Sequence, residues 1–166
     1  PGKGTCFTVE ISCRKIPEEE LQQQMEEQPE NVSLAGRRLL LAEDNGLNAE
    51  IAMTILQDAH ARVEVASDGA IALSMLKEAP AGYYDVILMD IQMPHMNGYQ
   101  ASEAIRKLLD DRARTPIIAM TANAFEEDHK AALEAGMDAY VAKPIEIDTP
   151  FSTITQVLNK DSLDLK

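Results

Sequence analysis

From Arg38 onward the chain alternates short apolar runs with longer stretches in which apolar residues recur at helical spacing. The runs fall at Leu39 to Ala42, Val63 to Ala66, Val86 to Met89, Ile117 to Met120 and Ala139 to Ala142. Runs that stay apolar at consecutive positions suit strands covered on both faces, as in a parallel sheet. Between them, Leu47, Ile51 and Ile55 stand at i, i+4, i+8, and Ala101, Ile105, Leu108 and Leu109 repeat the helical period. Boundary residues agree: Asp68 predicts an N-cap for the helix holding Ile71 and Met75, and Gly136 ends a helix that runs from about Phe125. Asp148 and Thr149 before Pro150 give a fifth helix its cap and first-turn proline. Five strands and five helices with right-handed crossovers make an open α/β sheet clad on both faces. The fifth helix, S-T-I-T-Q-V-L after Phe151, is built of weak helix formers, which predicts fraying unless a partner orders it.

Before this alternation the pattern is different. Thr5 to Ile11 is rich in β-branched and aromatic residues and reads as a strand with nothing beside it to pair with. Ile16 to Asn31 carries acids and glutamines between Pro17 and Pro29, with Leu21 and Met25 its only large apolar residues, and reads as a linker. The expected organisation is residues 1–16 as a strand segment, 17–36 as an acidic linker, 37–160 as the folded domain and 161–166 as a tail.

Charge narrows the range of partners. Lys and Arg total 15 against 28 Asp and Glu, a net charge of −13. That balance argues against a nucleic-acid backbone or an anionic membrane as the main partner. No run approaches a bilayer span, so no membrane contact is expected and a cytoplasmic setting is, with any parent chain able to carry an anchor. Cys6 and Cys13 match neither a metal motif nor a disulfide framework.

Ligands of an open α/β sheet bind outside the carboxyl ends of its strands, so the residues that follow each apolar run are the candidates. These are Glu43 and Asp44, Asp90, Thr121 with Ala122, and Lys143 with Pro144. Three carboxylates at one edge repel unless a cation joins them. Oxygen ligands without His or Cys point to Mg²⁺ (or Mn²⁺), which keeps waters and accepts a phosphoryl oxygen. Asp90, at the end of the central run V-I-L-M, is the candidate nucleophile for an acyl phosphate, with Lys143 supplying charge and Thr121 a hydrogen bond. Taken singly, each residue has a plainer reading: Asp44-Asn45 as a helix cap, Glu43 as a loop acid, Thr121 as a cap, Lys143 as a surface lysine. Their coincidence at successive strand ends favours the chemistry.

The segments L-L-L-A-E-D-N at 39–45, D-V-I-L-M-D-I-Q-M-P-H-M-N-G at 85–98, P-I-I-A-M-T-A-N-A at 116–124 and A-G-M-D-A-Y-V-A-K-P-I at 135–145 together resemble the receiver domain of two-component response regulators. The resemblance implies a flavodoxin-like five-stranded parallel sheet of order 2-1-3-4-5 with five helices. It implies that Asp90 takes a phosphoryl group from a phosphohistidine, with Glu43, Asp44, Asp90 and the Gln92 backbone carbonyl around Mg²⁺. Thr121 and Tyr140 become a switch pair that alters the surface of the fourth helix, fifth strand and fifth helix, a face through which a homodimer could form; Gln92, Ala122, Asn123 and Pro144 surround the phosphoryl group. Partners would be a histidine kinase dimerisation domain or a histidine phosphotransfer domain. Residues 2–11, G-K-G-T-C-F-T-V-E-I, resemble the closing strand of a histidine-kinase ATP-binding domain, which implies a hybrid sensor kinase as parent; its nucleotide loops are absent here, so no ATP binding is expected.

Three rivals stand beside this reading. A receiver that has lost phosphorylation and works as an interaction module would typically lack an acid or the lysine, and all are present. A metal-dependent aspartyl phosphatase places an acid two residues after its nucleophile, where this chain has Gln92. A flavin or nucleotide binder of the same sheet order needs a Gly-, Ser- or Thr-rich first loop, and E-D-N-G-L-N is acidic.

Overall fold

The computed structural model describes residues 33–122, 126–143 and 149–163, with the backbone alone for 126–128, 149–150 and 160–163. The predicted strand at Thr5 to Ile11 and the predicted linker up to residue 32 lie outside the described residues, as do Asn123, Asp148 and Pro144; of the linker only 33–36 are described, and Leu34 there is buried in the core.

Five strands form one parallel sheet: β1 (Arg38–Ala42), β2 (Arg62–Ala66), β3 (Val86–Asp90), β4 (Ile117–Thr121) and β5 (Ala139–Ala142), in the order β2-β1-β3-β4-β5. Five α-helices alternate with them: α1 (Gly46–Asp58), α2 (Gly69–Glu78), α3 (Gly98–Arg106), α4 (Glu126–Glu134) and α5 (Thr149–Leu163). A 3₁₀ turn at Asp111–Arg114, which no apolar period announces, leads into β4.

β3 and β4 are buried at all five positions, which is why their sequences show no alternation. Alternate residues nevertheless serve two cores. Leu40, Ile87, Met89, Ile117 and Ala119 pack with α2, α3 and α4 residues such as Ala72, Leu76, Ala101, Ile105 and Ala132. Leu39, Leu41, Leu88, Ile118 and Met120 pack on the other face with Ala49, Ala52 and Leu56 of α1 and Ile154, Val157 and Leu158 of α5.

The residues whose spacing marks α1 do not form its buried face. Leu47 and Ile51 are 66% and 48% exposed, while Ala49, Ala52 and Leu56 are buried. In α2, Ile71 is likewise exposed and Ala72 and Leu76 are inside. Large leucines and isoleucines on the sheet already fill the layer, so small residues let the helices sit close. The period in α3 also overruns the helix. Lys107 caps it, Leu108 N–H turns back to the Ile105 carbonyl at 3.0 Å, and Leu109 is fully exposed. The weak propensity of α5 is overridden by burial of Ile154, Val157 and Leu158 against its own sheet.

Capping follows the sequence closely. Asp68 accepts from Ile71 N–H at 2.8 Å, Asn97 and Gln100 form a reciprocal capping box, and Gly136 (φ +86°) follows the end of α4. Gly98 has a different duty. A Cβ there would stand 2.3 Å from the Asp90 carbonyl oxygen and 3.0 Å from Ile91 Cα, so α3 can start beside the end of β3 only because no side chain intervenes.

This contrast yields a paired prediction. Gly98→Ala should lower unfolding free energy by about 2–3 kcal/mol, since backbone must move. Gly46→Ala, at the corresponding first position of α1 with nothing within 4 Å of its Cβ, should be neutral or stabilise by up to about 1 kcal/mol. Urea denaturation of both variants checks the pair, and equal effects would contradict the steric argument.

Candidate functional site

The strand ends carry the site. The parallel ladder continues one residue past β1, where Glu43 N–H donates to the Ala66 carbonyl at 3.0 Å, and past β5, where Lys143 N–H donates to the Thr121 carbonyl at 2.7 Å. Ile91 N–H donates to the Met120 carbonyl at 3.1 Å beyond the end of β3. Main-chain bonds of this kind place Glu43, Asp90, Thr121 and Lys143 on four neighbouring strands at one edge.

Glu43 and Asp90 are buried, 4% and 5% exposed, whereas Asp44 is open to solvent. Lys143 Nζ bridges the buried pair, 2.5 Å from Glu43 Oε2 and 2.7 Å from Asp90 Oδ2. The other oxygens are also engaged. Asp90 Oδ1 accepts from Gln92 N–H at 3.1 Å; Glu43 Oε1 accepts from Asn45 N–H at 3.3 Å and Asn48 Nδ2 at 3.2 Å. Asp44 stands apart, with no hydrogen bond to any described residue. Asn45, not Asp44, is the helix cap: its side chain accepts from the N–H groups of Leu47 and Asn48. That leaves Asp44 for other work.

One carboxylate oxygen from each of Glu43, Asp44 and Asp90 lies within 4.8 Å of the other two. These groups line a cleft of about 250 Å³ together with Asn48, Gln92, Thr121, Ala122 and Lys143. Three carboxylates and one ammonium leave two negative charges unbalanced in a partly buried space. An all-oxygen donor set with that deficit fits a hard divalent cation. Burial pushes the Asp90 carboxyl above the ordinary aspartate value, against the lowering influence of Lys143 and of the Gln92 N–H, and the Glu43 charge adds to the rise. Burial depresses Lys143 in turn, but Asp90 and Glu43 together outweigh it and hold the ammonium above its usual value.

The structure thus gathers Glu43, Asp44, Asp90, Gln92, Thr121, Ala122 and Lys143 in one cleft. Asn123 and Pro144 lie outside the described residues. Tyr140 is not in the cleft: it is 40% exposed on β5, its ring 4.3 Å from that of His129 on α4. Asn48 was missed from the sequence, although its position five residues after Glu43, in the first turn of the following helix, was visible once Asn45 is taken as the cap.

A family model described as the response regulator receiver domain matches residues 39–155, and the chain belongs to that family. Among curated relatives, the sensor histidine kinase GacS of Pseudomonas protegens is 39% identical over 121 residues, covering 72% of this chain and 13% of the relative. The peroxide stress-activated histidine kinase mak1 of Schizosaccharomyces pombe is 37% identical over 131 residues, covering 78% of this chain and 8% of the relative. The chain therefore spans only a small part of these kinases. Among solved structures, the receiver domain of sensor histidine kinase PA1611 from Pseudomonas aeruginosa, described with a magnesium ion coordinated in its active site cleft, is 35% identical with a TM-score of 0.68 over 75% of this chain and 99% of that one. The chemotaxis protein CheY4 of Vibrio cholerae is 29% identical with a TM-score of 0.67, over 74% and 99%. Among the described residues no helix is long and apolar enough to cross a membrane.

The raised Asp90 pKa carries a testable sign. The folded protein holds this proton more tightly than the unfolded chain, so ionising Asp90 opposes folding. Its contribution falls as pH rises from 3.8 through the raised folded value. Lys143 adds no slope there, because a raised ammonium contributes constantly below 10.5. In chelator, Asp90→Asn should lose this slope and unfold at a higher urea concentration than the wild type at pH 7. Urea midpoints between pH 4 and 8 measure it; a wild type that stays the more stable protein at pH 7 contradicts the burial argument.

Proposed function

We propose that this receiver domain is a phosphoacceptor in a phosphorelay, taking a phosphoryl group onto Asp90 from a phosphohistidine in a reaction that requires Mg²⁺ (or Mn²⁺). The observation that carries the reading is the buried Asp90 carboxylate at a rigid strand end, 2.7 Å from the Lys143 ammonium and beside two further carboxylates. An Asp90 oxygen forms a bond to phosphorus as the bond from phosphorus to the donor imidazole nitrogen breaks, and the imidazole leaves with its electron pair and takes up a proton. Such a loose transfer needs positioning and charge neutralisation more than covalent help. Lys143 is placed to move from the carboxylates to a phosphoryl oxygen, and the buried Thr121 hydroxyl to donate to another. Glu43, Asp44, Asp90 and the Gln92 carbonyl would hold the cation, which supplies further neutralisation of the phosphoryl oxygens. The likeness to a receiver described with magnesium supports this assignment.

Gln92, Ala122, Asn123 and Pro144 would surround the acyl phosphate, and Thr121 with Tyr140 would report it. Tyr140, now outward against His129, would turn inward as Thr121 moves to the phosphoryl group, changing the α4-β5-α5 face and any homodimer formed through it. The parent would be a hybrid histidine kinase, as the curated relatives suggest, and the donor its own dimerisation domain or a separate phosphotransfer domain.

Intact mass spectrometry after incubation with acetyl phosphate and Mg²⁺ is the test. One added phosphoryl group is expected, absent in Asp90→Asn and in chelator. Lys143→Ala should slow the gain by about 100-fold. Folded protein that gains nothing from acetyl phosphate or from a phosphohistidine donor would leave only the interaction-module reading.

A further inference from the structure

Glu43 presents a problem that the phosphoacceptor reading does not address. Its carboxylate is 4% exposed, and a buried charge must be hydrogen-bonded at both oxygens to be held in one orientation. Lys143 grips Oε2, but the same ammonium also serves Asp90 and must turn to an incoming phosphoryl oxygen. The donors that stay on Glu43 throughout are those on Oε1: Asn45 N–H at 3.3 Å and the Asn48 amide at 3.2 Å. The first is main chain, which no side-chain substitution removes. The second is a side chain from the first turn of α1, whose backbone is fixed because Asn48 N–H itself bonds to the Asn45 cap at 3.2 Å.

We infer that Asn48 is a positioning residue for the cation site, orienting the Glu43 carboxylate from α1 so that cation affinity is retained when Lys143 turns to the phosphoryl group. Outer donors to ligating carboxylates commonly set affinity by 10- to 100-fold. Asp44 needs no such help, being exposed, unbonded to any described residue and free to adapt to the ion. The division of labour is therefore one adaptable acid, one nucleophile fixed by Gln92 N–H, and one acid held by Asn48.

This inference rests on the proposed Mg²⁺ site, and a double-mutant cycle read by calorimetric Mg²⁺ titration separates the two. Asn48 is exposed in a helix, so Asn48→Ala should fold, which thermal unfolding in chelator verifies. Asn48→Ala should weaken Mg²⁺ binding by about tenfold in the wild-type background and by less than about twofold in a Glu43→Gln background, because the amide acts only through that carboxylate. An unchanged affinity, or the same loss in both backgrounds, would overturn the inference while leaving the Mg²⁺ site intact. A wild type that binds no Mg²⁺ would overturn the cation site and this role with it.

Discussion

Two carboxylates taken out of water at one edge of a sheet and tied to a single ammonium are the constraint around which this domain is arranged. Glu43 and Asp90 could not both remain charged and buried without Lys143 between them. Lys143 reaches both only because β5 runs parallel to β4, and β4 to β3, in a register that sets Asp90 beside Met120 and Thr121 beside Ala142, the residue before Lys143. The pairing of three separate segments of chain is thus what makes the charge arrangement possible. Burial still leaves the Asp90 carboxyl above its ordinary value, against the lowering influence of Lys143.

The same constraint explains where side chains have been removed. α3 must begin beside the backbone of Asp90 and Ile91, and Gly98 allows it; α2 must begin beside the loop that follows β3, and a Cβ at Gly69 would meet the Met96 carbonyl at 2.6 Å. Gly69 N–H instead donates to that carbonyl at 3.2 Å, and His95, itself at φ +60°, sets Nδ1 3.4 Å from the Asp68 carboxylate. The loop after Asp90 is therefore clasped to the cap of the neighbouring helix, and the orientation of Gln92 N–H toward Asp90 follows from that clasp. Packing and site geometry are one problem here.

The architecture was legible because five apolar runs with polar residues at their ends define a parallel sheet with little ambiguity, and strand-end position alone selected Glu43, Asp44, Asp90, Thr121 and Lys143. What could not be read was which face of α1 and of α2 is buried, whereas Ala101 and Ile105 do form the buried face of α3. Leu47 and Ile51 outweigh Ala49 and Ala52 in hydrophobicity, yet it is Ala49, Ala52 and Leu56 that face the sheet. Spacing places Asn48 in the first turn after Glu43 but gives it no task, because the need for a donor arises from burial of Glu43, a tertiary fact. Tyr140 came from resemblance, and its outward position against His129 is information that only coordinates hold.

The two ends of the sheet differ in how their acids are paired. At the amino-terminal end acids are matched: Asp85 accepts from Arg37 and from Arg38 N–H, both at 2.8 Å, and Asp138 accepts from Arg106 at 2.8 Å and Ile117 N–H at 2.7 Å. Arg106 also donates to the carbonyls of Ala113, Thr115 and Gly136, binding α3, the 3₁₀ turn and the chain entering β5 into one unit. On the edge strand, Glu64 takes the hydroxyls of both Tyr83 and Tyr84. Asp85, Asp138 and Glu64 each have two donors, so these acids contribute stability without asking for a ligand. At the carboxyl edge Glu43 and Asp90 share one lysine and Asp44 stands beside them without a partner among the described residues, a shortfall that a cation from solution would make good. A fold that pairs its acids at one end and leaves them in surplus at the other concentrates its unmet electrostatic demand at the ends of its buried strands. That is the condition under which binding a cation and a phosphoryl group can do work on the surrounding loops rather than merely filling a hole.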